Sequence, residues 1–372
     1  MLYKLSLSLL LCLLALTGCD RPALQTPIAP IITPTGSPTR VNRVLPQAVY
    51  LISGGQIWRI AADGQTLHQI SHSSSPVLDL AVGPYGDWLA YIQNNVLWRA
   101  TRQGETPTPL VSGLQLEVRS SVQAYQSPAA LHSLLWSPDG STIAYTQNTL
   151  HLAPANGGEP INITPIIRGT LPLPIELWQP RALAWASNSQ QLLVSLHADT
   201  QVALAIYRRA TNELVILPNP EGWADVNGSW GLGDGFLYLS GRQHLWLVNA
   251  SNGQVAPLLL PPVNAEPFQI SFVQQTATGE LLSFASSPDE TAPGLRMYQT
   301  ALDGVSNAVF LRNDSYMPEG VLWARDLSGA LLLGDVPVSN GTSARQLWWL
   351  PTDNSAPVLL PLVGDHLQWG IE

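Results

Sequence analysis

Residues 134–164 read LLWSPDGSTIAYTQNTLHLAPANGGEPINIT. Two apolar runs, LLW (134–136) and TIAYT (142–146), flank the turn Ser137-Pro138-Asp139-Gly140. A third run, Leu150-His151-Leu152-Ala153, leads through PANGGE to Ile161-Asn162-Ile163-Thr164. Short runs rich in β-branched, aromatic and leucine residues, cut by Pro, Gly, Asn and Asp, are strands with turn punctuation. Asp-Gly and Asn-Gly pairs suit tight hairpins because both tolerate positive φ. The stretch predicts four short antiparallel strands, a to d.

Working outward, the same order returns along the chain. Strand c recurs as IWRI (57–60), LWRA (97–100), IYRR (206–209), LWLV (245–248), MYQT (297–300) and LWWL (347–350). Its aromatic position, held by His151 in one copy, recurs at intervals of 39 to 56 residues. Strand b recurs as AVYLI (48–52), WLAYI (88–92), LLVSL (192–196), FLYLS (236–240), LLSFA (281–285) and LLLGD (331–335). Strand a carries Trp136, Trp185, Trp230 and Trp323 in one place, with weaker copies at 78–86 and 270–279. Four strands per unit, repeated in this way, make the blades of an all-β propeller. The first b–c–d set begins at Ala48 with no strand a before it. The chain finishes HLQWGIE (366–372), with Trp369 in the repeated Trp place and no strand b after it. The prediction is a seven-bladed β-propeller whose first blade is closed by the C-terminal strand. A six-bladed ring, the less favoured count, requires 270–311 to be an irregular insertion.

The unit at 134–164 resembles the repeat of TolB-type, WD-repeat-like β-propellers, and GGQIWRIAADGQTLHQIS (54–71) resembles its second half. The resemblance spans 48–372, although Ser137-Pro138-Asp139-Gly140 has drifted to Ala186-Ser187-Asn188-Ser189 and Ala324-Arg325-Asp326-Leu327 in later units. It implies a propeller and no single activity, since such propellers serve as scaffolds, periplasmic adaptors and substrate gates.

The first residues give an address. Lys4 precedes an apolar run over 5–16, small residues and Cys19, which is the layout of a secretory signal. The run is shorter than the roughly 20 residues of a membrane span. Leu16-Thr17-Gly18-Cys19 resembles the bacterial lipobox, which implies that Cys19 is lipid-modified and becomes the first mature residue. The expected organisation is a signal peptide over 1–18, a lipidated Cys19 with a proline-rich tether over 19–47, and a propeller over 48–372. Pro22, Pro27, Pro30, Pro34, Pro38 and Pro46 favour extended polyproline backbone in the tether. At about 3.1 Å per residue, its 25 or so residues reach about 75 Å. The implied location is the bacterial cell envelope, on the outer face of the cytoplasmic membrane or in the periplasm. Cys12 is lost with the signal and Cys19 is acylated, so no disulfide, thiol nucleophile or cysteine metal site is expected.

Composition narrows the chemistry. Charged residues are 12% of 372, about half the usual quarter. A net charge of −9 lacks the basic footprint of a nucleic-acid binder. The sole lysine is Lys4; every other basic residue is arginine. There is no HExxH pair, GxSxG elbow, P-loop or EF-hand loop. Gly231-Leu232-Gly233-Asp234-Gly235 falls where other blades have an a–b turn, and no helix follows to make a phosphate cradle. No enzyme, cofactor or metal is expected. The repeated tryptophans read as packing between blades.

Candidate binding residues lie in the segments joining strand d of one blade to strand a of the next. These are unusually apolar: Arg119 and Tyr125 lie in 112–133, Arg168, Trp178 and Arg181 in 165–182, with Trp223 and Tyr316 in two further loops. Trp, Tyr and Arg together have the composition of an interaction hot spot. Such loops either bind a partner or fold over one another and plug the channel. Asp79, His132, Arg181, Glu319 and Asp365 are read as standing just before strands a, where they are expected to line the channel mouth. The expectation is a monomeric, membrane-anchored scaffold that binds a protein or peptide through this face. The alternatives are a small-molecule or glycan binder, or a lyase or hydrolase, at the channel mouth, or a purely structural envelope subunit.

Overall fold

The computed structural model describes residues 43–113, 130–218, 226–241, 245–258, 269–286, 295–302, 308–314, 317–337 and 343–370. Cys19, Arg119, Tyr125, Trp223 and Tyr316 lie outside them. The described chain is all-β, and its strands form seven separate sheets. Blades 2, 3, 5, 6 and 7 each run a–b–c–d in chain order as antiparallel sheets. Blade 1 is composite. Its strand a is Asp365–Trp369, which pairs antiparallel with strand b, Val49–Ser53.

Blade 4 departs from the four-strand repeat. The segment after blade 3 adds a fifth strand, Ile166–Arg168, parallel to strand d, Glu213–Ile216, at the outer edge. Arg168 pairs there with Glu213 at 2.9 Å, so it belongs to the rim.

Seven apolar clusters lie one at each junction between consecutive blades. On strand b of blade 4, Leu192, Val194 and Leu196 pack toward blade 3, while Leu193 packs toward blade 5. This is the period-2 alternation of a strand buried on both faces. The junction of blades 7 and 1 unites Leu331, Leu347 and Trp349 with Val49, Leu51 and Trp369. The ring is therefore closed by side-chain packing as well as by strand pairing, which removes an open gap between its ends. Closure is tight: a Cβ on Gly364 would stand 2.2 Å from the Ile52 carbonyl oxygen. Leu45 is buried in the same cluster, and Val44 and Leu45 both donate to Ala62 O. The chain thus joins the propeller before Ala48, on the side where strand c of blade 1 ends.

The repeated tryptophans couple neighbouring blades by hydrogen bond. Trp185 Nε1 donates to Leu135 O, Trp230 to Ala184 O, Trp323 to Phe272 O and Trp369 to Trp323 O. Each bond reaches back to strand a of the preceding blade. Trp136 instead donates to Gly140 O in its own turn. His151, the exception among the strand-c aromatics, stacks on Tyr145 at 5.0 Å.

The preference for arginine has a local reason. Arg99 Nη1 donates to Ala155 O and Asn156 Oδ1, and Arg208 Nη2 to Ala250 O and Ser251 O. Arg312 Nη1 donates to Pro351 O and Ser355 O. Blades 2, 4 and 6 thereby clasp the c–d turns of blades 3, 5 and 7. A planar guanidinium holds two acceptors at once with its geometry fixed, which an ammonium does not.

Candidate functional site

Strand a lines the inner edge of every blade, and its start lies on the face that carries the d–a connections. Six of the seven strands a break register with strand b. The irregularities lie at Asp365–Gln368, Val77–Asp79, His132–Leu135, Ala182–Ala184, Ser271–Gln274 and Pro318–Gly320. A bulge bends a strand and re-aims its side chains. Ser133, Phe272 and His366 take φ of 58°, 51° and 54° within these bulges. That region is uncommon for residues other than glycine.

The bulged ends of blades 7, 1, 2, 3 and 4 hold an arc of ionisable groups. Arg345, at the start of strand c in blade 7, donates Nε to Glu319 and Nη2 to Asp365, both at 2.7 Å. Hydrogen bonding to Asp365 and Glu319 holds the guanidinium above its ordinary pKa against a modest cost of burial. His366 Nδ1 lies 2.8 Å from Asp79 Oδ1. Asp79 is buried at 5% exposure, and it accepts from Leu80 N through Oδ1 and from Leu134 N through Oδ2. One carboxylate therefore ties the closing strand to the bulge of blade 3, and a buried carboxylate needs such partners. Burial works against a charged His366, but the hydrogen bond and charge of Asp79, with Asp365 adding, carry its pKa above 6.5.

Further along, His132 Nδ1 lies 2.6 Å from Thr146 Oγ1. Burial pushes the pKa of His132 down, the Arg181 charge adds to that, and Asp79 partly opposes it. His197 is lowered by burial and by Arg181. Arg181 itself is exposed and, among the described residues, has no carboxylate at ion-pair distance. The arc thus ends in a cation beside two histidines that favour the neutral form.

The expected mouth residues Asp79, His132, Arg181, Glu319 and Asp365 all fall in this arc. Sequence reasoning missed His366, Arg345 and His197. His366 could have been found from its place in the closing strand, next to Asp365. Arg345 is on strand c, and it meets Glu319 within its own blade and Asp365 across the junction to blade 1.

Trp178 lies elsewhere. It is 4% exposed in the junction of blades 3 and 4, and its indole donates to Leu173 O. Leu171, Leu173 and Ile175 pack against the same cluster, so these apolar side chains of the connection are absorbed by the fold. Leu177 stays 57% exposed on the approach to strand a of blade 4. Among the described residues, no three His, Cys, Asp or Glu side chains gather as a metal site.

No protein-family model matches the chain, and no curated protein matches its sequence. Among solved structures, an oligogalacturonate lyase from Vibrio parahaemolyticus is similar at a TM-score of 0.57 and 12% identity, covering 84% of this chain and 83% of its own. A structure from a study of two prolyl endopeptidases gives 0.54 at 11% identity, covering 85% of this chain and 50% of its own. A putative TolB from Agrobacterium tumefaciens gives 0.43 at 14% identity, covering 72% of this chain and 88% of its own. At these identities the likeness speaks to fold alone. The seven-bladed propeller expected from the repeated units, with its first blade closed by the C-terminal strand, is the architecture observed.

Proposed function

We propose that this chain is a lipid-anchored propeller of the bacterial cell envelope that binds a protein or peptide partner through its d–a face, with the charged arc as the polar centre of the contact. The observation that carries this reading is Arg181: an exposed cation at the end of an otherwise paired arc, with no carboxylate of its own among the described residues. A partner that supplies a carboxylate, from an acidic side chain or a chain terminus, completes the arc. Leu177 and Leu183, exposed at 57% and 38%, give apolar contact beside it. The chain enters the propeller at Val44 and Leu45, by the end of strand c, and strands c end on the face opposite the d–a connections. The test has two arms. Cys19→Ala is expected to move the protein from the membrane to the soluble fraction. Peptides ending in a free carboxylate are expected to bind the full chain, and their C-terminal amides or the Arg181→Glu variant to lose that binding.

A second reading rests on the same cation. Arg181 with His132 and His197 would also receive a small anionic ligand, a uronate among them, and the fold is shared with a lyase. Turnover of an oligogalacturonate by the full chain, lost in Arg181→Ala, would favour it over a peptide partner.

A further inference from the structure

On the opposite face, blade 6 departs from the repeat in two ways. The a–b turns of blades 2, 3, 4, 5 and 7 are closed by backbone bonds spanning five residues: Gly83 to Trp88, Ser137 to Thr142, Ala186 to Gln191, Gly231 to Phe236 and Ala324 to Gly329. In blade 6 the matching bond runs from Thr276 to Glu280 and spans four. The residue before the turn, Trp in blades 3, 4, 5 and 7, is Gln275 here. Beside this turn lies a cleft of about 810 Å³, lined by blades 6 and 7 with Leu232 of blade 5 at its edge. That size is in the ordinary range of ligand sites, about 300–1,000 Å³.

The lining has a definite chemistry. One wall is apolar, built by Leu282, Leu311 and the Trp323 indole. Trp323 is held in place by its bond to Phe272 O and by Phe284, whose ring centre is 5.0 Å away. The rest is amide and hydroxyl, from Gln274, Gln275, Gln299, Thr276, Thr278 and Thr352. The charged members, Arg325, Asp326 and Asp353, leave no excess of positive charge for an anion. Asp326 and Asp353 each use Oδ1 within their own turns, on Ser328 and Ser355. Arg325 spends Nη1 on Pro84 O.

We infer that this cleft is a binding site for a neutral saccharide of one or two rings. The C–H face of a pyranose matches a flat apolar wall, and its hydroxyls match a rim of amides, hydroxyls and carboxylates. The site is separate from the charged arc and does not depend on the partner proposed for it.

The test is titration of the full chain with maltose, cellobiose, lactose and chitobiose, followed by ligand-observed NMR, with trigalacturonate as the anionic control. Gln275→Trp replaces a lining amide with the indole found at this place in blades 3, 4, 5 and 7. It is expected to fold with an unchanged or raised Tm and to weaken binding by about tenfold or more, equivalent to about 1.4 kcal/mol. Gln299→Leu, which keeps the volume and removes an amide, is a second variant expected to weaken binding without unfolding. Binding of at least one neutral disaccharide, lost in a folded variant, supports the site. Absence of binding to all four, binding to trigalacturonate alone, or binding unchanged in both variants would overturn it.

Discussion

The strand-a starts divide the ring into two unequal arcs. Blades 7, 1, 2, 3 and 4 carry Glu319, Asp365 with His366, Asp79, His132 and Arg181. Blades 5 and 6 carry no charge on strand a. Their polar side chains toward the start include Asn227, Ser229 and Ser271, while Gln274 and Gln275 stand at the far end, by the a–b turn. Both arcs are joined from blade to blade by side-chain hydrogen bonds, but with different chemistry. In the charged arc Asp79 receives His366 from blade 1 and Leu134 N from blade 3. Between blades 5 and 6 Ser229 Oγ donates to Gln274 Oε1, and at the a–b end of the strands Gln275 Oε1 accepts from Leu232 N. The charged arc also contains the one blade assembled from both ends of the chain. Charge at the mouth and closure of the ring are therefore parts of one construction, since His366 is at once a closing-strand residue and the partner of Asp79.

Removing residues 366–372 strikes both parts together and should have the largest effect. Trp369 is 5% exposed at the junction of blades 7 and 1, and truncating a buried tryptophan alone costs about 3–5 kcal/mol. Loss of the strand ladder adds to that. Thermal melting of the truncated chain should fail to show a native transition; a melt like that of the intact protein would dissociate closure from the rest of the fold.

Asp79→Ala keeps the closing strand and removes only the tie. It leaves Leu134 N without its acceptor, a loss of about 2–3 kcal/mol. The matching change between the neutral blades 5 and 6, Gln275→Ala at the a–b end of strand a, removes bonds among more exposed groups and should cost about 1 kcal/mol. Chemical denaturation would rank the two, and equal losses would mean that the charge of Asp79 adds nothing to its geometry.

The smallest effect is a pH slope. The pKa of His366 is raised, so its contribution is complete below 6.5 and fades as pH rises through the shifted value. His132 and His197 are lowered and act in the opposite direction. They are neutral in the fold and cost stability as pH falls through 6.5, where the unfolded chain takes up their protons. His366→Asn should flatten the loss of Tm above neutrality and leave the acid-side loss intact. A variant whose alkaline slope matches the parent would place the linkage elsewhere.

Most of the fold could be read from the sequence, because turn punctuation and the spacing of Trp136, Trp185, Trp230, Trp323 and Trp369 are local signals of a repeated unit. Blade 6 was the weakest copy for a physical reason: Gln275 stands where the indole would be, and its turn is a residue short. The mouth carboxylates and cations were legible from their nearness to the starts of strands a, although the structure sets all five within those strands rather than before them. Their pairing was not, since Arg345 meets Asp365 only through the junction of two blades. The bulges were invisible as well. Ser133, Phe272 and His366 adopt positive φ without the glycine that usually announces it. Trp178 shows the opposite error of a sequence reading. An aromatic in an apolar connection looks available, yet here the connection folds back onto blades 3 and 4 and takes the indole with it.

The charged arc, and Arg181 in particular, is proposed to receive the partner, and this is measured directly by partner recovery by the full chain from envelope extracts, quantified for the parent, for Arg181→Glu and for Asn227→Ala at the uncharged start of strand a in blade 5. Recovery is expected to fall by about tenfold or more in Arg181→Glu, a change of at least about 1.4 kcal/mol, and to be unchanged in Asn227→Ala. Equal recovery by the parent and Arg181→Glu, with both proteins folded, would contradict it.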